Sequence, residues 1–239
     1  MIRNIFSRSS LMLSLALGFG FFLASCNKNK DDIQPTPVAA LMAFNLAPDQ
    51  QAVAIGLDGN LLPGGPLGFG NYTGQYLNAI PGNRNIASYN AVSSESLDSS
   101  TFNFEVNKYY SLFVVGYNGS YTNIVSEDNY DSLTASSGKA YVRFINALPN
   151  TTASTVVLES SGAQLVNRSS AFGEVSPFLE VDPGNITFQV TNEGGVDVNR
   201  TISLTQTKAY TVLLMGSPNE TDPAKIPQIK FIENGTVTD

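Results

Sequence analysis

Four sequence elements occur twice in this chain, in the same order and at closely similar spacing, and that duplication limits the fold more than any other feature. The first series opens at Ala40-Leu41-Met42-Ala43-Phe44-Asn45-Leu46-Ala47-Pro48-Asp49. The second opens at Ala140-Tyr141-Val142-Arg143-Phe144-Ile145-Asn146-Ala147-Leu148-Pro149-Asn150. Each series then carries a Phe-Gly pair, Phe69-Gly70 and Phe172-Gly173. An aromatic-Leu pair and a Pro-Gly-Asn turn follow: Tyr76-Leu77 with Pro81-Gly82-Asn83, and Phe178-Leu179 with Pro183-Gly184-Asn185. Both close on an apolar run after a lysine, Lys108 to Gly116 and Lys208 to Gly216.

Within each copy the hydrophobic period is close to two, which is the period of strands. In the first copy strands are predicted at 40–46, 52–57, 75–80, 85–91, 101–106, 109–116 and 122–125. In the second they are predicted at 140–147, 155–158, 178–181, 186–191, 200–205, 209–216 and 228–232. Alternation is clearest in Ile186-Thr187-Phe188-Gln189-Val190, where apolar side chains take one face and polar ones the other. The unbroken runs Leu112–Val115 and Val212–Met215 suit central strands buried on both faces. Proline sets φ and glycine supplies positive φ at Pro81-Gly82 and Pro183-Gly184, so both read as tight turns. The predicted fold class is all-β: two tandem antiparallel β-sandwich domains, immunoglobulin-like or transthyretin-like, over residues 38–127 and 139–239. Residues 128–138, rich in Ser, Asp and Gly, read as a linker and a hinge.

The N-terminus is different. Basic Arg3 and Arg8 precede an apolar run from Leu11 to Leu23, and small residues lead into Cys26. That is the layout of a secretory signal peptide over residues 1–25, too short to span a bilayer, which takes roughly 20 apolar residues. Leu23-Ala24-Ser25-Cys26 resembles the lipobox of bacterial lipoproteins. The resemblance implies lipidation of Cys26, cleavage before it, and a chain held to the membrane by acyl groups. Cys26 is the only cysteine in the chain, so it has no intrachain disulfide partner. Residues 26–37 then form a polar, proline-punctuated tether. Within it, Lys30-Asp31-Asp32 resembles the signal that sends Bacteroidota lipoproteins to the outer face of the outer membrane.

Composition removes several chemistries. The chain has no His and no Trp. Without His there is no Ser-His-Asp or Cys-His nucleophile system and none of the commonest transition-metal ligands. The net charge is −7, and the mature part is more negative because Arg3 and Arg8 are lost while every acidic residue is kept. A scattered negative charge argues against nucleic acid and against an electrostatic hold on anionic lipid. No catalytic residue, metal site or cofactor is predicted. Asp58-Gly59, Asp98 and Asp182-Pro183-Gly184 read as turn carboxylates, and Glu127-Asp128-Asn129-Tyr130-Asp131 reads as a solvated acidic stretch. Tyr117 and Tyr121, flanking Asn118-Gly119-Ser120 on a hairpin, form a possible ligand loop with Asn118. Asp131-Ser132-Leu133 resembles the Bacteroidota O-glycosylation site, with Ser132 as acceptor.

The repeated pattern resembles the domain-of-unknown-function family numbered 4397, found in cell-envelope and secreted bacterial proteins. The matching residues are Asn45, Ala47-Pro48-Asp49, Asp58-Gly59, Phe69-Gly70, Tyr76-Leu77 and Tyr110 in the first copy. In the second they are Asn146-Ala147, Pro149-Asn150, Phe172-Gly173, Pro183-Gly184 and Tyr210-Thr211-Val212, with Ser160-Ser161-Gly162 in place of Asp-Gly. The resemblance implies an envelope location and carries no catalytic residues. The expectation is a lipid-anchored surface protein that is not an enzyme and serves binding, adhesion or envelope scaffolding. The alternative is a glycan-binding accessory of an outer-membrane nutrient-uptake system. Its partners are then the membrane, through the lipid, and a surface glycan or protein.

Overall fold

Alternating side chains on the opening strand of each copy enter two different cores, and this decides the architecture. The structure, a computed structural model, describes residues 36–149 and 153–238. Cys26, Lys30, Asp31 and Asp32 lie outside the described residues, as does Asn150. The first copy contains β1 Ala39–Asn45, β2 Ala52–Leu57, β3 Asn60–Leu61, β4 Leu67–Gly68, β5 Leu77–Ala79, β6 Gly82–Asn90, β7 Ser96–Phe104, β8 Tyr109–Tyr117 and β9 Ser120–Glu127. The second contains β10 Ala140–Asn146, β11 Ser154–Ser160, β12 Ala163–Ser170, β13 Leu179–Val181, β14 Gly184–Thr191, β15 Asp197–Leu204, β16 Lys208–Met215 and β17 Gln228–Thr236. The described residues hold no α-helix, only two short 3₁₀ turns at Tyr130–Ser132 and Ala135–Ser137.

Each copy has two sheets. One runs β5-β1-β8-β9 in the first copy and β13-β10-β16-β17 in the second. The other runs β3-β2-β6-β7, with β4 also on β2, and β12-β11-β14-β15. The topologies therefore match strand for strand, with β12 standing where β3 and β4 stand. The facing sheets of each copy share one apolar core. Leu41, Ala43, Ile86, Phe104, Tyr110 and Leu112 belong to the first, and Val142, Phe144, Phe188, Ile202, Tyr210 and Val212 to the second.

Three sequence expectations need correction. The sheets are not wholly antiparallel, because β1 pairs β8 and β10 pairs β16 in parallel. A parallel pair needs a long crossover, and the whole second sheet of each copy supplies it. Strand β12 went unpredicted because most of its side chains are exposed on both faces, which leaves no apolar alternation to read. The acidic stretch 127–131 is not solvated throughout: Asp128 is 0% exposed. Tyr130 and Leu133 pack against buried Tyr141, Ala209 and Val237.

The two copies form one compact unit from Pro37 onward. The second face of β1 and β8 meets the second face of β10 and β16. Met42, Phe44, Phe113 and Val115 from one side join Ile145, Ala147, Leu213 and Met215 from the other in a single buried cluster. Each large side chain sealed there contributes about 1.5–3 kcal/mol. This is why Leu112–Val115 and Val212–Met215 are apolar without alternation: each strand is a middle layer in a stack of four sheets.

Candidate functional site

The apolar seam between the copies ends in a buried polar knot. Arg143 occupies β10 at the position that Met42 occupies in β1, since Met42 pairs Ser111 and Arg143 pairs Thr211 in the two parallel registers. Its Nε donates to Thr211 Oγ1 at 2.9 Å and its Nη2 to Ser111 Oγ at 2.7 Å. Its Nη1 lies 2.6 Å from Asp128 Oδ1, an ion pair whose two side chains are 1% and 0% exposed. Asp128 Oδ2 accepts hydrogen bonds from Ser111 Oγ at 2.9 Å and from the Tyr76 hydroxyl. In the second copy Thr211 donates to Asn234 Oδ1 at 2.7 Å, the counterpart of the Ser111–Asp128 bond. A buried charge this well solvated by fixed dipoles is held in one place.

A cleft of about 540 Å³ opens beside the knot, walled by Tyr76, Tyr109, Tyr130 and the chain from Asn234 to Thr238. The three rings meet edge to face: Tyr76–Tyr109 at 5.1 Å and 83°, Tyr109–Tyr130 at 5.2 Å and 69°, Tyr76–Tyr130 at 6.2 Å and 80°. Such geometry sets the positive ring edge against the negative ring face. Burial pushes the Tyr130 hydroxyl up to about 12. Burial, then the Asp128 charge, also raises Tyr76. Tyr109 by contrast is 43% exposed. The charges around the cleft are paired already. Lys108 holds Asp131 at 2.5 Å and Glu127 at 3.5 Å, and Lys208 holds Glu233 at 2.7 Å.

The residues singled out from the sequence are engaged elsewhere. Tyr121 does not present a free hydroxyl: it donates to Asp49 Oδ2 at 2.7 Å and accepts from Gln50 Nε2 at 2.5 Å. The Asn118 amide also donates to Asp49 Oδ2, at 2.6 Å, with Asn118 in the left-handed region at φ 54°. Burial and the nearby Glu220 carboxylate raise Tyr117, which turns toward Ser217 and Glu220 of the second copy. Ser132 is exposed in the first 3₁₀ turn, and its Oγ donates to Asn129 O at 2.7 Å. Asp58 accepts from the Asn85 amide at 2.8 Å and pairs with Arg84 at 3.0 Å. Asp98 lies in a strand, not a turn, and accepts from the Asn123 amide at 2.7 Å. Asp182 pairs with Lys139 at 2.7 Å. No group of three or more Asp, Glu, Cys or His that would hold a metal occurs among the described residues.

Sequence reading passed over Arg143, Tyr109 and Asn234. The signal for the first was available: an arginine in a strand that is otherwise apolar, where the other copy has methionine, requires a buried counter-charge.

The model of a family described as a domain of unknown function (DUF4397) matches residues 39–156 and again 140–234. The chain belongs to that family. Its recurring DUF4397 residues have structural work in both copies. Asn45 Nδ2 donates to Leu67 O and Asn146 Nδ2 to Ser170 O, each at 2.9 Å, tying the end of the first strand to the neighbouring sheet. Gly70 and Gly173 both lie at positive φ and both sit in the seam. A Cβ on Gly70 would stand 2.7 Å from Met215 Cε, and one on Gly173 would stand 2.8 Å from Ile124 Cδ1, each on the opposite copy.

No curated protein matches. Among solved structures, the tip fimbrial protein Mfa3 from Porphyromonas gingivalis aligns at 9% identity over 83% of this chain and 99% of its own, with a TM-score of 0.28. A carbohydrate-binding module of family CBM26 from Eubacterium rectale Amy13K aligns at 11% over 83% and 97%, with a TM-score of 0.25. A candidate cell adhesion protein from Bacteroides uniformis aligns at 10% over 84% and 99%, also at 0.25.

Proposed function

We propose that this DUF4397 chain is a lipid-anchored protein of the bacterial cell surface with a non-catalytic role in binding, adhesion or envelope scaffolding. The observation that supports this reading best is where the tether enters the fold. The chain passes from Pro37 directly into β1, a central strand bonded to β5 on one side and β8 on the other. A pull through the N-terminus therefore loads two ladders along their length and the surrounding core together. An edge strand would be held by one ladder only. Two or three acyl chains on Cys26 would hold the chain to the bilayer, at about 0.8 kcal/mol per buried methylene. The acidic side chains described above are committed to turns, ladders and the seam, which suits a scaffold better than an acid/base catalyst.

Protease treatment of intact cells tests the reading, because Lys28 and Lys30 in the tether are trypsin sites whose cleavage would release the body. Wild type is expected to be released. A Lys30→Ala/Asp31→Ala/Asp32→Ala variant, which keeps Lys28, is expected to be protected, and Cys26→Ala is expected to leave the membrane fraction. A wild-type chain that stays protected while the outer membrane is intact overturns the surface location.

A further inference from the structure

The geometry points to a binding site for a neutral saccharide in the tyrosine cleft between the two copies. The inference rests on the binding role proposed above, but not on the anchor. Four observations carry it. First, the two copies place their aromatic differently: Tyr109 pairs Ala40, whereas Ala209 pairs the buried Tyr141. The second copy builds the same strand with Ala209 at the equivalent register position. Tyr109 is nevertheless 43% exposed, with its ring in edge-to-face contact with those of Tyr76 and Tyr130. An open, rigid aromatic face is the surface on which the C–H face of a sugar ring packs.

Second, Asn234 lines the cleft with 7% exposure, and its Nδ2 has no partner among the described residues. The orientation of the amide follows from its neighbours. Thr211 Oγ1 already receives Arg143 Nε–H and gives its own proton to Asn234 Oδ1, which leaves the NH₂ over. A buried donor without an acceptor costs free energy; this one is sealed beneath the cleft wall, and a ligand hydroxyl recovers that cost where the wall moves aside. The matching Asp128 has no such vacancy to fill on Oδ2, which accepts twice.

Third, the acidic groups around the cleft are already matched by Lys108, Lys208 and Arg143. A charged ligand would have to break one of these pairs, and an uncharged polar one would not. Fourth, about 540 Å³ with mixed aromatic and hydroxyl-bearing walls, Thr236 and Thr238 among them, is within the range of small-ligand sites. An aromatic platform, one orphan amide donor, flanking acceptors and no free charge together describe the surface of a neutral sugar.

The test uses the full chain in detergent and a panel of neutral probes: maltotriose, cellotriose, mannobiose and N,N′-diacetylchitobiose, alongside the corresponding polymers. With no Trp in the chain, tyrosine emission reports directly. At least one probe is expected to alter that emission and to raise the melting temperature. Response to the oligomer assigns a free short saccharide, and response to the polymer alone assigns a chain interior. Tyr109→Ala, the residue the second copy tolerates, is expected to weaken binding about tenfold with its own melting temperature little changed. If that variant melts early, Asn234→Ser provides the second arm, with binding again weakened. The proposal is overturned if no neutral probe binds, if only anionic saccharides bind, or if affinity survives both substitutions. A surface-exposed chain that binds no saccharide would sink this site alone and leave the anchored scaffold standing.

Discussion

Arg143 and Asp128 meet 2.6 Å apart in the seam between two copies of one domain, and neither side chain reaches solvent. The arginine comes from the second copy. The aspartate follows the last strand of the first. Taking both charges out of water is costly, and their attraction together with the hydroxyls of Ser111, Thr211 and Tyr76 offsets that cost only while the set is complete.

The first prediction follows from that dependence. Arg143→Met installs the residue of the first copy but strands the Asp128 carboxylate, and should destabilise the chain by about 3–5 kcal/mol. Adding Asp128→Asn, the residue of the second copy at that position, should recover most of the loss. Urea unfolding of the two single variants and the double variant measures this, and simple additivity would refute it.

A second prediction concerns Gly116, next to last in β8, and Gly216, which follows β16. Gly116 has φ 139° and Gly216 has φ 102°, and an added Cβ would lie 2.2 Å from Ser120 O and 2.1 Å from Ile226 O. The obstacle in both cases is backbone, which cannot swing away. Gly216→Ala should cost roughly 3 kcal/mol or more from strain and overlap together. Thermal melting of Gly216→Ala against Gly119→Ala separates overlap from φ alone, because a Cβ on Gly119 meets nothing within 4 Å.

Alkaline stability supplies a third. Tyr130 is pushed up to about 12 from an ordinary value of 10.0, and Tyr76 is raised in the same direction. Above pH 10 the unfolded chain gives up phenolic protons that the folded chain keeps. Stability that is fully present below pH 10 should therefore fall as pH rises toward 12. Melting temperature across that window, with tyrosinate absorbance followed in parallel, should show unfolding and the last ionisations together. A Tyr130→Phe/Tyr76→Phe chain should show a flatter alkaline limb.

The hairpin that carries Tyr117 and Tyr121 gives a fourth. The Tyr121 hydroxyl joins Asp49 and Gln50 to the β8–β9 turn, so Tyr121→Phe should cost about 1–3 kcal/mol in chemical denaturation. Saccharide binding in the Tyr109 cleft should be unaffected by it. Lost binding at unchanged stability would return the ligand site to the hairpin.

Much of the fold was legible because the duplication repeats its own punctuation. The Asp-Gly turn of the first copy and the Ser-Gly turn of the second prove to be the same turn. Asp58 and Gly59 have φ 48° and 80°, and Ser161 and Gly162 have φ 50° and 80°. Both strands flanking Ser161-Gly162 exist, yet only one carries an apolar face that a sequence can betray. Tyr110 and Tyr210 were readable as core. Each is nearly fully buried, and each hydroxyl accepts from a backbone amide five residues earlier, Glu105 at 3.0 Å and Thr205 at 3.1 Å. The candidate site was not legible. Tyr109, Asn234 and Asp128 come from three separate stretches, and what joins them is the packing of one copy on the other. Polar composition made 127–131 resemble a solvated stretch because sequence cannot show that Asp128 faces an arginine.

The seam sets equivalent positions of the two copies in one cluster, Phe44 with Ile145 and Phe113 with Leu213. A surface that meets its own copy is how a homodimer is built. There, any substitution appears on both sides of the axis, and an arginine at this position would come twice. Joining the halves in one polypeptide lifts that rule. Methionine can stand at 42 with arginine at 143, and tyrosine at 109 with alanine at 209. The chain is a dimer freed from symmetry, able to devote one half to holding the pair together while the other half acquires a surface of its own.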